Sequence, residues 1–205
     1  MKVLLAILLS LTLTVLSFPQ VGENDVQFGF GVGLSGEYTV YNFNGYGDWL
    51  QLETLPIDMT NFSVIIKGSF FRVEPSFGFF TTSTDYSYQG FSTESSTSNI
   101  RLGAIIAFND NHIESMNLYY GINTGLILSS HSYTSSSSSE STNRSKTDFF
   151  IGPAVGGEYL FIKHFSLGGE INLNYISIGH YDSDSESSSW AISTRGVIFL
   201  RWYVN

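Results

Sequence analysis

Three sets of residues in this chain have types and spacings that could do chemistry. His164-Phe-Ser166 sets an imidazole two residues from a hydroxyl, the pairing a general base needs to activate a serine for acyl transfer. Asp182-Ser-Asp184-Ser-Glu186 alternates carboxylates, as a hard cation such as calcium requires of its oxygen ligands. It lacks the full spacing and the turn glycine of an EF-hand loop, so a solvated loop is expected and no metal site is assigned. The third set is Glu37, Arg72, Glu74, Arg101, Glu158, Glu170, Arg195 and Arg201, which is four acids with four of the five arginines. No zinc spacing or catalytic triad appears. The glycines from Gly29 to Gly33 and from Gly152 to Gly157 lie inside strand patterns, where no phosphate-cradling turn is expected. The sequence therefore assigns no catalytic residue, no cofactor and no metal.

What the eight charges share is their place in a two-residue alternation. Period-2 patterning marks eight segments, near 26–41, 57–67, 71–86, 99–108, 117–130, 147–161, 165–180 and 190–204. In the first, Phe28, Phe30, Val32 and Leu34 hold one parity and glycines and Ser35 the other. Several segments match the roughly 9 to 11 residues with which a tilted strand crosses a bilayer. All eight charges fall on the small, polar parity. An arginine facing lipid at mid-bilayer costs about 2 to 4 kcal/mol, so the polar parity should face inward, where Arg and Glu can pair as a structural charge network across a side-chain-filled lumen. Ile65, Phe80, Ile105, Ile127, Leu160, Val197 and Phe199 share that inward parity, and Ile176 with Ile178 suggests a bulge or phase slip in the seventh strand.

Composition points the same way. Charged residues make up 13% of the chain and aromatics 16%, and there is no cysteine, against about 25% charged in an ordinary soluble domain. Lys2 followed by an apolar run to Leu16 reads as a secretory signal over residues 1–17, leaving 18–205 as a single barrel domain. Without Lys2 the chain keeps 8 basic and 18 acidic side chains, or −10, which argues against nucleic acid as a partner. Connections alternate between long polar ones (42–56, 87–98, 132–146, 182–189) and short ones (68–69, 109–116, 162–164), as outside loops and periplasmic turns do in transmembrane barrels. Ser135 to Ser141 reads as a flexible loop tip. Aromatics gather toward both ends of the strands, Phe70, Phe71, Phe108, Phe161, Phe165 and Trp202 at one and Tyr38, Phe79, Tyr175 and Trp190 at the other.

The opening strand Phe28-Gly-Phe-Gly-Val-Gly-Leu, Phe71-Arg-Val-Glu-Pro-Ser-Phe-Gly-Phe, Ile151-Gly-Pro-Ala-Val-Gly-Gly-Glu-Tyr and the closing Gly196-Val-Ile-Phe-Leu-Arg-Trp-Tyr resemble the outer-membrane β-barrel family that includes the barrel of outer membrane protein A and its small relatives. The resemblance covers roughly Val26 to Asn205. It implies an all-β, eight-stranded antiparallel up-and-down barrel in a bacterial outer membrane, surrounded by lipid and lipopolysaccharide and inserted by the barrel-assembly machinery. Family members usually end on an aromatic residue, whereas this chain runs two residues past Tyr203. His164-Phe-Ser166 has the His-x-Ser spacing of an outer-membrane lipid A deacylase, yet falls at an expected inner turn without the flanking residues. The expected function is a non-enzymatic envelope or surface-interaction role with an extracellular partner the sequence does not name. A narrow channel or a carrier of small hydrophobic ligands is the alternative, and an outer-membrane lipid-modifying enzyme is the lesser one.

Overall fold

The structure is a computed structural model that describes residues 26–42, 51–88, 91–113, 115–135, 138–162, 164–179 and 189–204. The expected signal segment, His180 and the Asp182 to Glu186 acids lie outside the described residues. Eight strands follow in order: β1 Gln27–Asn42, β2 Gln51–Lys67, β3 Phe71–Tyr88, β4 Phe91–Ile113, β5 Met116–Ser135, β6 Ser138–Ile162, β7 Phe165–Ile178 and β8 Ser189–Val204. Each pairs antiparallel with its chain neighbours, and β1 closes on β8. Closure removes free edges from the part of the wall that all eight strands share.

The register fixes the barrel's shape. Val32 pairs with Phe62, and the row continues through Phe77, Leu102, Leu126, Phe149 and Ser177 to Trp190. The direct β8 partner of Val32 is Leu200, ten residues from Trp190 (200 − 190). A stagger of ten over eight strands tilts them about 40° to the axis, given strand spacings near 4.8 Å and rises near 3.3 Å. Ile192 and Trp202, ten residues apart on β8, are then separated by about 25 Å along the axis, the height of an apolar band that a membrane covers. The outward parity is exposed and apolar through this band, as at Phe30, Leu34, Ile106, Ile122, Ile171 and Ile198, while the opposite parity is buried. Aromatic rings stack at the lower end, with Phe165 6.4 Å from Phe161 and 6.2 Å from Trp202, and at the upper end, where Tyr175 and Trp190 lie 6.0 Å apart.

Short turns join the strands at the lower end. Between β2 and β3 the Gly68 amide donates to the Phe71 carbonyl at 2.8 Å, and Asn109 of β4 reaches across to the Gly68 and Phe71 carbonyls at 2.9 and 2.8 Å. A Cβ at Gly68 would meet the Phe71 ring, so a larger residue there must displace that ring. Pro75 and Pro153 sit mid-strand and face outward. Lacking an N–H, each interrupts one ladder, β2–β3 between Ser63↔Ser76 and Ile66↔Val73, and β6–β7 between Ile151↔Tyr175 and Ala154↔Asn172.

The structure corrects the sequence reading at its outer end. Residues 51–56, 91–98, 132–135 and 138–146, expected in loops, belong to strands. β2 starts six residues early and takes up the extra length in a register shift opposite Ser35 to Glu37. The serine tract is not a loop tip throughout, since Ser138 to Ser141 open β6. No phase slip occurs in β7: its pairing with β8 runs unbroken from Phe165↔Trp202 to Ile178↔Ser189, and Ile176 points inward with Phe150 and Ala191.

Candidate functional site

The lumen is organised around one carboxylate near its lower end. Glu158 of β6 is contacted from five other strands. Arg72 Nη2 of β3 and Asn117 Nδ2 of β5 each donate to Oε1 at 2.7 Å, and Ser166 Oγ of β7 and Arg201 Nη1 of β8 donate to Oε2 at 3.0 and 3.2 Å. Lys67 of β2 stands 3.7 Å from Oε1. The Tyr203 hydroxyl lies 2.7 and 2.8 Å from the two oxygens and accepts from Arg72 Nη2 at 2.6 Å. Glu74 takes Arg201 Nη2 at 2.6 and 2.7 Å on its two oxygens. The arginines also stack on rings, Arg72 4.3 Å from the centre of Tyr119 and Arg201 3.4 Å from that of Phe199. A planar, weakly hydrated guanidinium suits such a site better than an ammonium would.

A second set lies higher. Arg101 Nη1 donates to Glu37 at 2.7 Å, the Ser193 hydroxyl donates to the other Glu37 oxygen, and Arg195 reaches Asn61 and Ser35. Glu170 lies between the two sets and accepts from the Tyr119 hydroxyl and Asn172 at 2.8 Å each. Apolar layers separate and cap them. Ile105, Ala107, Tyr119 and Phe199 form one layer, and Phe150, Ile176 and Ala191 the other. The space left among Glu74, Glu170, Arg195, Arg201 and Asn123 is about 30 Å³, enough for a water or two but not for a solute.

All eight charges named from the sequence point into the lumen. Arg72, Glu74, Glu158 and Arg201 meet below, Glu37 and Arg101 meet above, and Glu170 and Arg195 are held by amide and hydroxyl groups. Sequence reasoning missed Tyr119 and Tyr203, whose hydroxyls join the lower set, and Lys67, which makes that set three cations against two carboxylates. Their inward parity was the available signal. Lys146, bonded to Asp148 at 2.9 Å above the apolar cap, was missed as well. His164 and Ser166 form no dyad: the ring nitrogen is 3.2 Å from the Tyr203 carbonyl, and the Ser166 hydroxyl is buried against Glu158. Among the described residues no group of acids, histidines or cysteines could hold a metal.

Above the band, half of the wall continues as a four-stranded sheet. The β2–β3 ladder ends at Thr60↔Phe79 and the β6–β7 ladder at Phe149↔Ser177, while β3–β4, β4–β5 and β5–β6 pair on to Tyr88↔Phe91, Thr93↔Ser135 and Ser135↔Ser138. The sheet's two faces differ. The face continuous with the exposed apolar band carries the rows Thr81–Ser98–Ser130–Ser145 and Ser83–Ser96–Ser132–Asn143, then Asp85–Glu94–Thr134. Thr81 and Ser98 hydroxyls lie 3.3 Å apart there. The face continuous with the lumen carries Tyr86, Tyr133, His131 and Arg144, with His131 Nδ1 3.0 Å from the Thr97 hydroxyl. Both tyrosines and Arg144 are exposed.

Among solved structures, the chain resembles the attachment invasion locus protein Ail of Yersinia pestis in complex with the heparin analogue sucrose octasulfate, with a TM-score of 0.55 at 14% identity over 88% of this chain and 99% of that one. It also resembles a major outer membrane protein from Thermus thermophilus, with a TM-score of 0.52 at 13% identity over 87% and 99%. No protein-family profile and no curated protein matches the sequence.

Proposed function

We propose that this chain, which has the fold of the small eight-stranded outer-membrane β-barrels, resides in a bacterial outer membrane and serves there as a non-enzymatic surface-interaction protein, the barrel acting as a rigid mount for the protruding sheet. One observation carries the reading. The lumen's charges are engaged inside the barrel, by one another or by amide and hydroxyl groups, whereas the lumen-side face of the sheet displays Tyr86, Tyr133 and Arg144 among threonines and serines. Rigid aromatics and an arginine set among small polar groups is the composition of a recognition surface. A lumen cavity of about 30 Å³ gives a channel or ligand carrier less support.

The test is binding by the barrel held in lipid nanodiscs to arrays of extracellular proteins and glycans. A partner of the wild type should be lost or weakened at least tenfold in a Tyr86→Ala/Tyr133→Ala/Arg144→Ala variant that still shows heat-modifiable migration, since hot-spot residues cost about 1 to 4 kcal/mol each. Undiminished binding by the triple variant defeats the assignment of this face. Recovery of the exported protein in the soluble fraction defeats the membrane reading.

A further inference from the structure

We infer that the outward face of the protruding sheet is a docking ledge for the saccharide portion of outer-leaflet glycolipids; the inference rests on the outer-membrane reading above. Three observations combine. The first is continuity: Thr81, Ser98 and Ser130 each stand one outward step beyond the apolar row of Phe79, Ile100 and Leu128, with no register shift between the rows. Whatever lipid covers the band therefore runs directly onto this face.

The second is height. Each outward step rises about 5 Å along the axis at the barrel's tilt, and the rows also climb from β3 toward β6. Ser83, Ser96, Ser132 and Asn143 then stand roughly 5 to 15 Å above the top of the band. A phospholipid headgroup layer is only about 5 to 7 Å thick, so it ends near Ser83, and the rest of the second row, Ser96, Ser132 and Asn143, is within reach only of a lipid with a tall, sugar-bearing head.

The third is charge. Among the described residues this face carries no lysine or arginine, and its two charged side chains, Asp85 and Glu94, are acids paired across adjacent strands. The sheet's cations, Arg144 and Lys146, are both on the opposite face. Phosphate groups would be repelled here, while neutral sugar hydroxyls, which both donate and accept, match a grid of serine and threonine hydroxyls at strand spacing.

The experiment uses the full mature barrel in phosphatidylcholine vesicles that hold equal amounts of two glycolipids. One bears a core oligosaccharide, and the other has the same phosphorylated anchor with the saccharide removed. After gentle detergent extraction, mass spectrometry reads the ratio of the two lipids retained. The sugar-bearing lipid should be enriched roughly 3- to 10-fold, the worth of one or two net hydrogen bonds, with or without a divalent-cation chelator. A Ser96→Ala/Ser98→Ala/Ser130→Ala/Ser132→Ala variant should bring the ratio close to one, and the milder Ser96→Ala/Ser132→Ala should lower it should the quadruple variant misfold. Thr82→Ala/Thr84→Ala/Ser95→Ala, on the other face, should leave it unchanged. Equal retention of both lipids by the wild type, or enrichment abolished by the chelator, overturns the saccharide assignment, as does a folded ledge variant with the wild-type ratio. A protein that does not insert into these vesicles and shows no heat-modifiable form fails the outer-membrane reading instead.

Discussion

Glu158 shows how much of the site rests on single residues. Its carboxylate is buried and meets three cations, and removing one member of such a set leaves the others uncompensated in low dielectric. Glu158→Ala should cost about 3 to 5 kcal/mol, read as a lower urea midpoint for the barrel in vesicles, and Glu158→Gln should cost less because its amide oxygen still accepts from Asn117 while its amide nitrogen can donate to the Ser166 hydroxyl. An unshifted midpoint in the alanine variant would show that the charges relax onto other partners. A different kind of constraint operates at Gly152, where a Cβ would strike the Leu173 carbonyl beside the gap made by Pro153. Gly152→Ala should destabilise by about 1 to 3 kcal/mol through overpacking, checked by the same titration. The inward direction of the eight charges was legible, because parity is local. Their partners were not. Arg201 meets Glu74 across 127 residues, and that meeting depends on the barrel's stagger, which no single segment encodes. Lys67 closes its strand, and a charge at a strand end is not distinguished by local parity from one at the rim.

At the scale of elements, the sequence spoke clearly only where a strand's two sides face different solvents. Within the apolar band the alternation of β8 located it to within a residue. Above the band both sides of β3 to β6 meet polar surroundings, so Ser92 to Asn99 and Ser138 to Lys146 keep their extended pairing without alternating, and composition alone resembled a loop. The same strands differ in their neighbours, which makes a measurable contrast. Between Thr81 and Asp85, β3 pairs only with β4, whereas Ser95 to Asn99 of β4 is flanked on both sides. Amide exchange in bilayers should therefore alternate, slow then fast, along residues 81–85 and be uniformly slow along 95–99. Uniformly fast exchange across both stretches would mean the sheet frays in solution.

For the molecule as a whole, the register closes the wall and the side chains close the bore. The apolar cap, the two charge sets and the layer between them leave no continuous opening among the described residues. Vesicles carrying the protein should not swell in isotonic solutions of small sugars, and swelling at a rate above protein-free vesicles would contradict a filled lumen. One further property follows from the sheet, which among the described residues rises over half of the wall. The molecule has a front and a back. A bilayer set around the apolar band would meet the sheet only beside β3 to β6, so a neighbour above the band would be screened on one side of the molecule and not on the other. Copies set side by side would then meet as oriented bodies, shield to shield or shield to open rim.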